Sequence, residues 1–185
     1  MTTIGITGSI GAGKGVIVEY VKTRGFKHYE ARALLLKEVK RRGLAPIRDN
    51  IALVGNDLRK THFPGYIISE LLAHAKLGGG DAVIESIRSE GELNLLRKHA
   101  ENFYLFSVDA DPEVRYERIT QRGSSTDHVD YEKFLEDEQK ELQSAEAWGM
   151  NVKSCMEKAD FKFENDGTFE KLLIKVDEVL KKIMK

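Results

Sequence analysis

A glycine-rich stretch, Gly8-Ser9-Ile10-Gly11-Ala12-Gly13-Lys14-Gly15, stands between a β-branched run, Thr3 to Thr7, and an amphipathic segment carrying Val16, Ile17, Tyr20 and Val21 on its apolar side. Strand, glycine turn and helix in that order constrain the chain more than any other feature it has. The glycines let successive backbone N–H groups point inward, the following helix adds the positive end of its dipole, and the lysine reaches terminal phosphates. The pattern is G-x-x-x-x-G-K, so Gly8, Ser9, Ile10, Gly11, Ala12, Gly13, Lys14, Gly15 and Val16 are the expected nucleotide-binding residues. A dinucleotide loop would need G-x-G-x-x-G, which Gly11-Ala12-Gly13 followed by Lys14-Gly15-Val16 does not complete. One position departs from the usual pattern. Gly15 stands where Ser or Thr ordinarily offers a hydroxyl to Mg²⁺, and Val16 supplies none, so a bound Mg²⁺ is expected to lean on phosphate oxygens, water and acids elsewhere.

Four further short runs have strand character: Phe26 to Tyr29, Ala82 to Ile84, Phe103 to Val108 and Phe161 to Phe163. Helical patterns separate them, over 31–42, 64–77, 112–122, 130–146 and from Thr168 onward. Strands alternating with helices point to βαβ units and a parallel sheet in an α/β fold. About fifty residues lie between the second and third strands, more than one crossover helix needs, so 31–77 is expected to form a helical acceptor-binding insertion. At 185 residues, 41% of them hydrophobic, the chain suits one core, and the expectation is a single domain over 1–185.

Charge narrows the partners. With 29 Lys and Arg against 30 Asp and Glu, no broad basic face is expected, and neither a nucleic acid polymer nor a membrane is an expected partner. The start, Met1-Thr2-Thr3-Ile4, lacks the basic and apolar regions of an export signal, and the lone Cys155 has no disulfide partner; both suit the cytoplasm. The five histidines show no metal-binding or triad spacing and read as structural.

Gly-Lys-Gly at the end of the loop resembles the adenylate kinase lineage. The whole chain resembles the P-loop nucleoside monophosphate kinase and dephospho-CoA kinase superfamily, especially the dephospho-CoA-kinase-like proteins of archaea and bacteria. The segments that carry the likeness are GITGSIGAGKG at 5–15, VIESIRSEGEL at 83–93, VDADPEVRYERITQRG at 108–123 and ENDGTFEKL at 164–172. That resemblance implies a five-stranded sheet in the order 2-3-1-4-5, a lid near 122–130, ATP as phosphoryl donor and Mg²⁺ as its companion.

Arg115, Arg118 and Arg122 fall at i, i+3 and i+7 of one helix, a spacing that puts them on one face. Guanidinium forks suit a reaction that spreads negative charge over a moving phosphoryl group, and the resemblance gives Arg118 and Arg122, with Lys14 and Arg88, the catalytic roles. Glu85 ends the third strand, where P-loop proteins often place the acid that holds Mg²⁺ through water. Arg32 follows the second strand, where the superfamily begins its acceptor-binding helices; Glu30, Arg48, Asp57 and Arg59 complete the expected acceptor set. Asn165, in Asn165-Asp166-Gly167, resembles the loop beside the adenine ring. The function so implied is transfer of the ATP γ-phosphate to a nucleoside or deoxynucleoside monophosphate. Phosphorylation of the dephospho-CoA 3′-hydroxyl, and nucleotide sensing without turnover, stay open beside it.

Overall fold

The computed structural model describes residues 1–123, 129–144, 146 and 148–184. Of the expected lid, residues 124–128 lie outside the described residues.

Five strands form the sheet: β1 (Thr3–Gly8), β2 (Lys27–Glu30), β3 (Ala82–Glu85), β4 (Phe103–Asp109) and β5 (Phe161–Glu164). Their order is β2-β3-β1-β4-β5, and every pairing is parallel, as the resemblance implies. The helices are α1 (Lys14–Thr23), α2 (Ala31–Arg41), α3 (Arg48–Thr61), α4 (Tyr66–Gly78), α5 (Glu90–His99), α6 (Pro112–Arg122), α7 (Tyr131–Leu142), α8 (Val152–Glu157) and α9 (Phe169–Ile183).

Both sheet faces are buried, as parallel strands require. Alternation along a strand sends neighbours to opposite layers: Val83 and Phe106 join Ile17, Val21 and Val176 of α1 and α9, whereas Ile84 and Leu105 join Leu35, Val54, Leu71 and Leu93 of α2 to α5. Each strand begins or ends within a residue of its sequence expectation. The extension at the carboxyl ends matters, because Glu30 and Glu85 fall opposite each other on β2 and β3, and Glu85 falls opposite Ile6 of β1. Acidic groups therefore meet at the edge where parallel sheets bind their ligands.

Local chemistry sets the helix ends. Asp111 Oδ1 accepts from the Glu113 amide at 3.0 Å, Pro112 takes the first turn, and Gly123 closes α6 at φ 58°. The sequence expectations include no helix over α5, although Ser89-Glu90-Gly91-Glu92 is a complete capping box: the Ser89 hydroxyl accepts from the Glu92 amide and the Glu92 carboxylate accepts from the Ser89 amide. They include none over α8 either. No described helix is long and apolar enough to cross a membrane.

Candidate active site

The loop after β1 is braced from three sides. Asn165, 2% exposed, donates Nδ2–H to the Ala12 carbonyl at 2.8 Å. Arg115 donates to the Ile10 carbonyl at 3.1 Å and to the Ala110 carbonyl at 2.6 Å, while its guanidinium forms a buried ion pair with Glu138 of α7. Ile10 itself packs with Ile119 and Phe134. Gly13 is the N-cap of α1 at φ 107°, and a Cβ there would stand 2.6 Å from Asn165 Nδ2, so both conformation and space demand glycine.

This helix start is left open for an anion. No side chain caps α1 and no acid lies in its first turn. The amides of Lys14 and Gly15 have no carbonyl a turn earlier in the helix to accept them. Lys14 Nζ folds back on the Gly8 and Ser9 carbonyls, 2.8 Å from each. Burial, with the nearby Arg88 charge, brings its ammonium down from 10.5 to about 8.

Two cavities flank the loop. The larger, about 810 Å³, is lined by Gly11, Gly13, Lys14, Gly15 and Val16 of the loop, Arg118 and Arg122 of α6, and Gly167 to Glu170 before and within α9. Phe169 is 42% exposed there, with the Arg118 guanidinium 5.2 Å from its ring centre. The smaller, about 370 Å³, opens between α2, α3 and the end of β3, lined by Glu30, Arg32, Arg48, Arg59, Arg88 and Glu141 among others. Gly11, Lys14, Glu85 and Arg122 belong to both. The cavities meet where the lysine and the strand-end carboxylate face each other.

Helix phase decides which residues of α3 take part. Arg48, Ile51, Ala52, Gly55 and Arg59 form one stripe along the smaller cavity. Asp57 falls on the opposite side, where Arg42 of α2 holds it at 2.7 Å, so the expected acceptor role of Asp57 is not supported by its position. Arg59, 3% exposed, is held by Glu92 at 2.9 Å, and Glu92 also accepts from the Arg88 amide at 2.7 Å. Arg32 has no carboxylate partner among the described residues.

Other expectations are redistributed. Gly8, Ser9 and Ala12 lie behind the loop surface rather than on it, and Ile10 lines the smaller cavity instead of the larger. Asn165 does not reach the larger cavity; it is buried as a brace, and Gly167 to Glu170 take the cavity wall. The three α6 arginines part ways, since Arg115 turns into the core, Arg118 faces the larger cavity and Arg122 faces both.

Three residues with no expected functional role enter the site, among them His28, which the sequence reads as structural. His28 Nε2 lies 3.1 Å from Glu85 Oε2 across β2 and β3. Burial alone would raise the Glu85 carboxyl; the His28 hydrogen bond and the Lys14 charge outweigh it and hold it below the usual carboxylate range. Ser86, also lining the smaller cavity, adopts φ 71°, uncommon for a residue with a side chain. Glu141 of α7 is ion-paired to Arg88, and its other oxygen stands 3.7 Å from Arg48. Burial pushes the Glu141 carboxyl up, but Arg88 and then Arg48 hold it down, so it is ionised at neutral pH. Glycine and strand signals reveal no such pairs, because each joins residues brought together only by the sheet and its covering helices.

Among the described residues no group of three or more His, Cys, Asp or Glu could form a metal cage. One ionised carboxylate beside the glycine loop is nevertheless what an Mg²⁺ bound through phosphate oxygens and water would require, and Glu85, on the wall of the larger cavity, meets that description.

Comparison with known proteins gives the same architecture. A family model described as an AAA domain, AAA_18, matches residues 4–149. A UPF0200 protein of Methanocaldococcus jannaschii is 30% identical over 100% of this chain and 91% of its own. A UPF0200 protein of Pyrococcus horikoshii is 27% identical over 97% of this chain and 96% of its own. Among solved structures, a gluconokinase from Sinorhizobium meliloti superposes with TM-score 0.61 at 15% identity, covering 98% of this chain and 93% of that one. A dephospho-CoA kinase from Campylobacter jejuni gives TM-score 0.53 at 16% identity, covering 98% and 97%.

Proposed function

We propose that the chain, which belongs to the AAA_18 family and to the UPF0200 proteins, is a P-loop phosphotransferase moving the γ-phosphate of ATP to a nucleoside or deoxynucleoside monophosphate. The observation that carries this reading is the shared wall of Gly11, Lys14, Glu85 and Arg122 between a nucleotide-sized cleft and a smaller arginine-lined cavity.

The larger cavity is the donor site. The α1 amides and Lys14 bind the terminal phosphates, Lys14 exchanging two loop carbonyls for phosphate oxygens. Phe169 offers a flat apolar face to the base, with Arg118 beside it. Arg122, on the wall shared by both cavities, places guanidinium charge where the transferring group becomes more anionic, whereas Arg118 stays at the base end, donating to the Gly167 carbonyl at 3.1 Å. Glu85 would hold Mg²⁺, which, when bound, neutralises charge on the β- and γ-phosphate oxygens. The insertion from α2 to α4 forms the acceptor side, with its Arg32 and Arg48, and Arg88 from beyond β3, supplying positive charge and Glu30 a polar contact for a sugar hydroxyl, while Arg59 is already paired to Glu92.

The His28–Glu85 pair favours a second reading. A carboxylate fixed by an imidazole at the shared wall would orient a hydroxyl acceptor, such as the 3′-hydroxyl of dephospho-CoA, by accepting its hydrogen bond. A phosphate acceptor is already anionic and needs no base.

The test is product analysis with Mg-ATP and a panel of nucleoside monophosphates, deoxynucleoside monophosphates and dephospho-CoA, beside Lys14→Ala. A new diphosphate from one acceptor, reduced by at least about 10²-fold in the variant, is expected. New CoA would move the assignment to the hydroxyl reading. ATP binding with no acceptor consumed would defeat both and leave nucleotide sensing.

A further inference from the structure

The acceptor cavity contains a carboxylate of its own. Glu141 lines it, ion-paired to Arg88 and 3.7 Å from Arg48, and both arginines line the same cavity. Arg59 cannot substitute for them, since Glu92 holds it at 2.9 Å and Glu92 is itself fixed by the Arg88 and Ser89 amides. Arg32 offers one guanidinium from the start of α2, whereas Arg88 and Arg48 converge on a single point, and Glu141 occupies that point.

Glu141 reaches the cavity from a helix outside the α2–α4 insertion. It sits in the last turn of α7, whose acidic side also gives Glu138 to Arg115 and Asp137, 3.9 Å from Arg48. Glu138 ties α7 to the loop through Arg115, so α7 does not depend on the Glu141 contact for its place against the protein. Arg88 keeps 30% of its side chain exposed and Glu141 13%, so their contact stands at the cavity surface rather than sealed beneath it.

We propose that Glu141 is a specificity-determining residue of this cavity: its carboxylate stands where the acceptor's anionic group docks and is exchanged for it, so that the cavity takes a phosphomonoester and rejects monoanionic or neutral acceptors. The proposal rests on the smaller cavity being the acceptor site. A phosphomonoester brings about −1.5 to −2 charges and three acceptor oxygens, enough to engage Arg88 and Arg48 together and exceed what the single carboxylate supplied. A hydroxy acid brings one carboxylate, equal to the group it displaces, and gains nothing from the exchange. A neutral sugar loses outright. Discrimination arises from a built-in competitor rather than from an added contact.

Binding without ATP tests this independently of turnover. AMP, inorganic phosphate and gluconate would be titrated calorimetrically into the full-length protein and into Glu141→Gln. Removing the competitor is expected to tighten AMP and phosphate by at least about tenfold, the scale of one charge-assisted hydrogen bond, and to admit gluconate. Unchanged or weaker AMP binding in a folded Glu141→Gln protein overturns the proposal, as does the absence of AMP and phosphate binding in both proteins. If Arg88 left without its partner prevents folding, the Glu141 carboxyl-carbon NMR resonance of the unsubstituted protein decides. It should move on saturation with AMP as the carboxylate leaves Arg88, and a stationary signal at saturation overturns the proposal. Failure of the transfer assay would defeat the kinase reading and leave these binding results to be judged on their own.

Discussion

Asn165 Nδ2 donates to the Ala12 carbonyl at 2.8 Å, joining the end of β5 to the phosphate loop across 153 residues. That contact makes the last strand a support for the first loop. The loop's curvature therefore depends on packing from the opposite end of the chain, not on its glycines alone.

Asn165→Ala is expected to leave the buried Ala12 carbonyl without its donor and to cost about 1–3 kcal/mol. Urea unfolding would read the loss as a lower midpoint at unchanged slope. ATP should also protect the variant less than it protects the parent protein, because the amides it needs are less well held.

Two loop glycines should respond oppositely. Gly13→Ala combines φ 107° with a Cβ 2.6 Å from Asn165 Nδ2, and a loss of at least about 2 kcal/mol is expected. Gly15 has nothing within 4 Å of a Cβ, so Gly15→Ser should leave stability within about 0.5 kcal/mol. The new hydroxyl would face the donor cleft, and half-maximal ATP binding should then require less Mg²⁺. Thermal melts and an Mg²⁺ titration check both halves.

Lys14 gives stability and binding opposite pH trends. Its folded-state value of about 8 lies below its ordinary 10.5, so the unfolded chain binds more protons between those values. This group therefore makes the free protein more stable as pH rises through that window, and below pH 8 its buried charge costs stability. Binding of the donor phosphates needs the ammonium and should weaken as pH rises past about 8. In Lys14→Arg both trends should vanish, the guanidinium remaining charged throughout. Calorimetric ATP affinity and chemical denaturation at matched pH values separate the two effects.

Phe169→Ala should weaken ATP binding by about 1–3 kcal/mol, the range for stacking of a base on an aromatic ring, with little change in unfolding midpoint because the ring is 42% exposed. Triphosphate alone should bind both proteins equally. An equal loss for triphosphate would remove the ring from the base site.

The legible part of this molecule was its local chemistry. Glycine spacing marked the loop, β-branched runs marked the strands, and the Asp111-Pro112 pair marked the start of α6. Local pattern also carries two further signals: Asp57 lies half a turn from the Arg48–Arg59 stripe, and Ser89 with Glu92 announces α5. What local pattern could not carry was pairing at a distance. Asn165 reads equally well as a base contact or a turn residue, and only the packing of β5 beside β4 turns it toward Ala12. His28 meets Glu85 through strand register, and Glu141 meets Arg88 through the placement of α7. Such partners depend on the sum of many weak packing contacts, which no short motif records.

If transfer follows the proposed route, the wall common to the two cavities leaves the phosphoryl group nowhere to pause. Gly11, Lys14, Glu85 and Arg122 touch donor and acceptor spaces alike, so both molecules can be present at once with nothing between them to be loaded first. Chirally labelled γ-phosphorus should emerge with inverted configuration, and initial-rate lines for the two substrates should converge instead of running parallel.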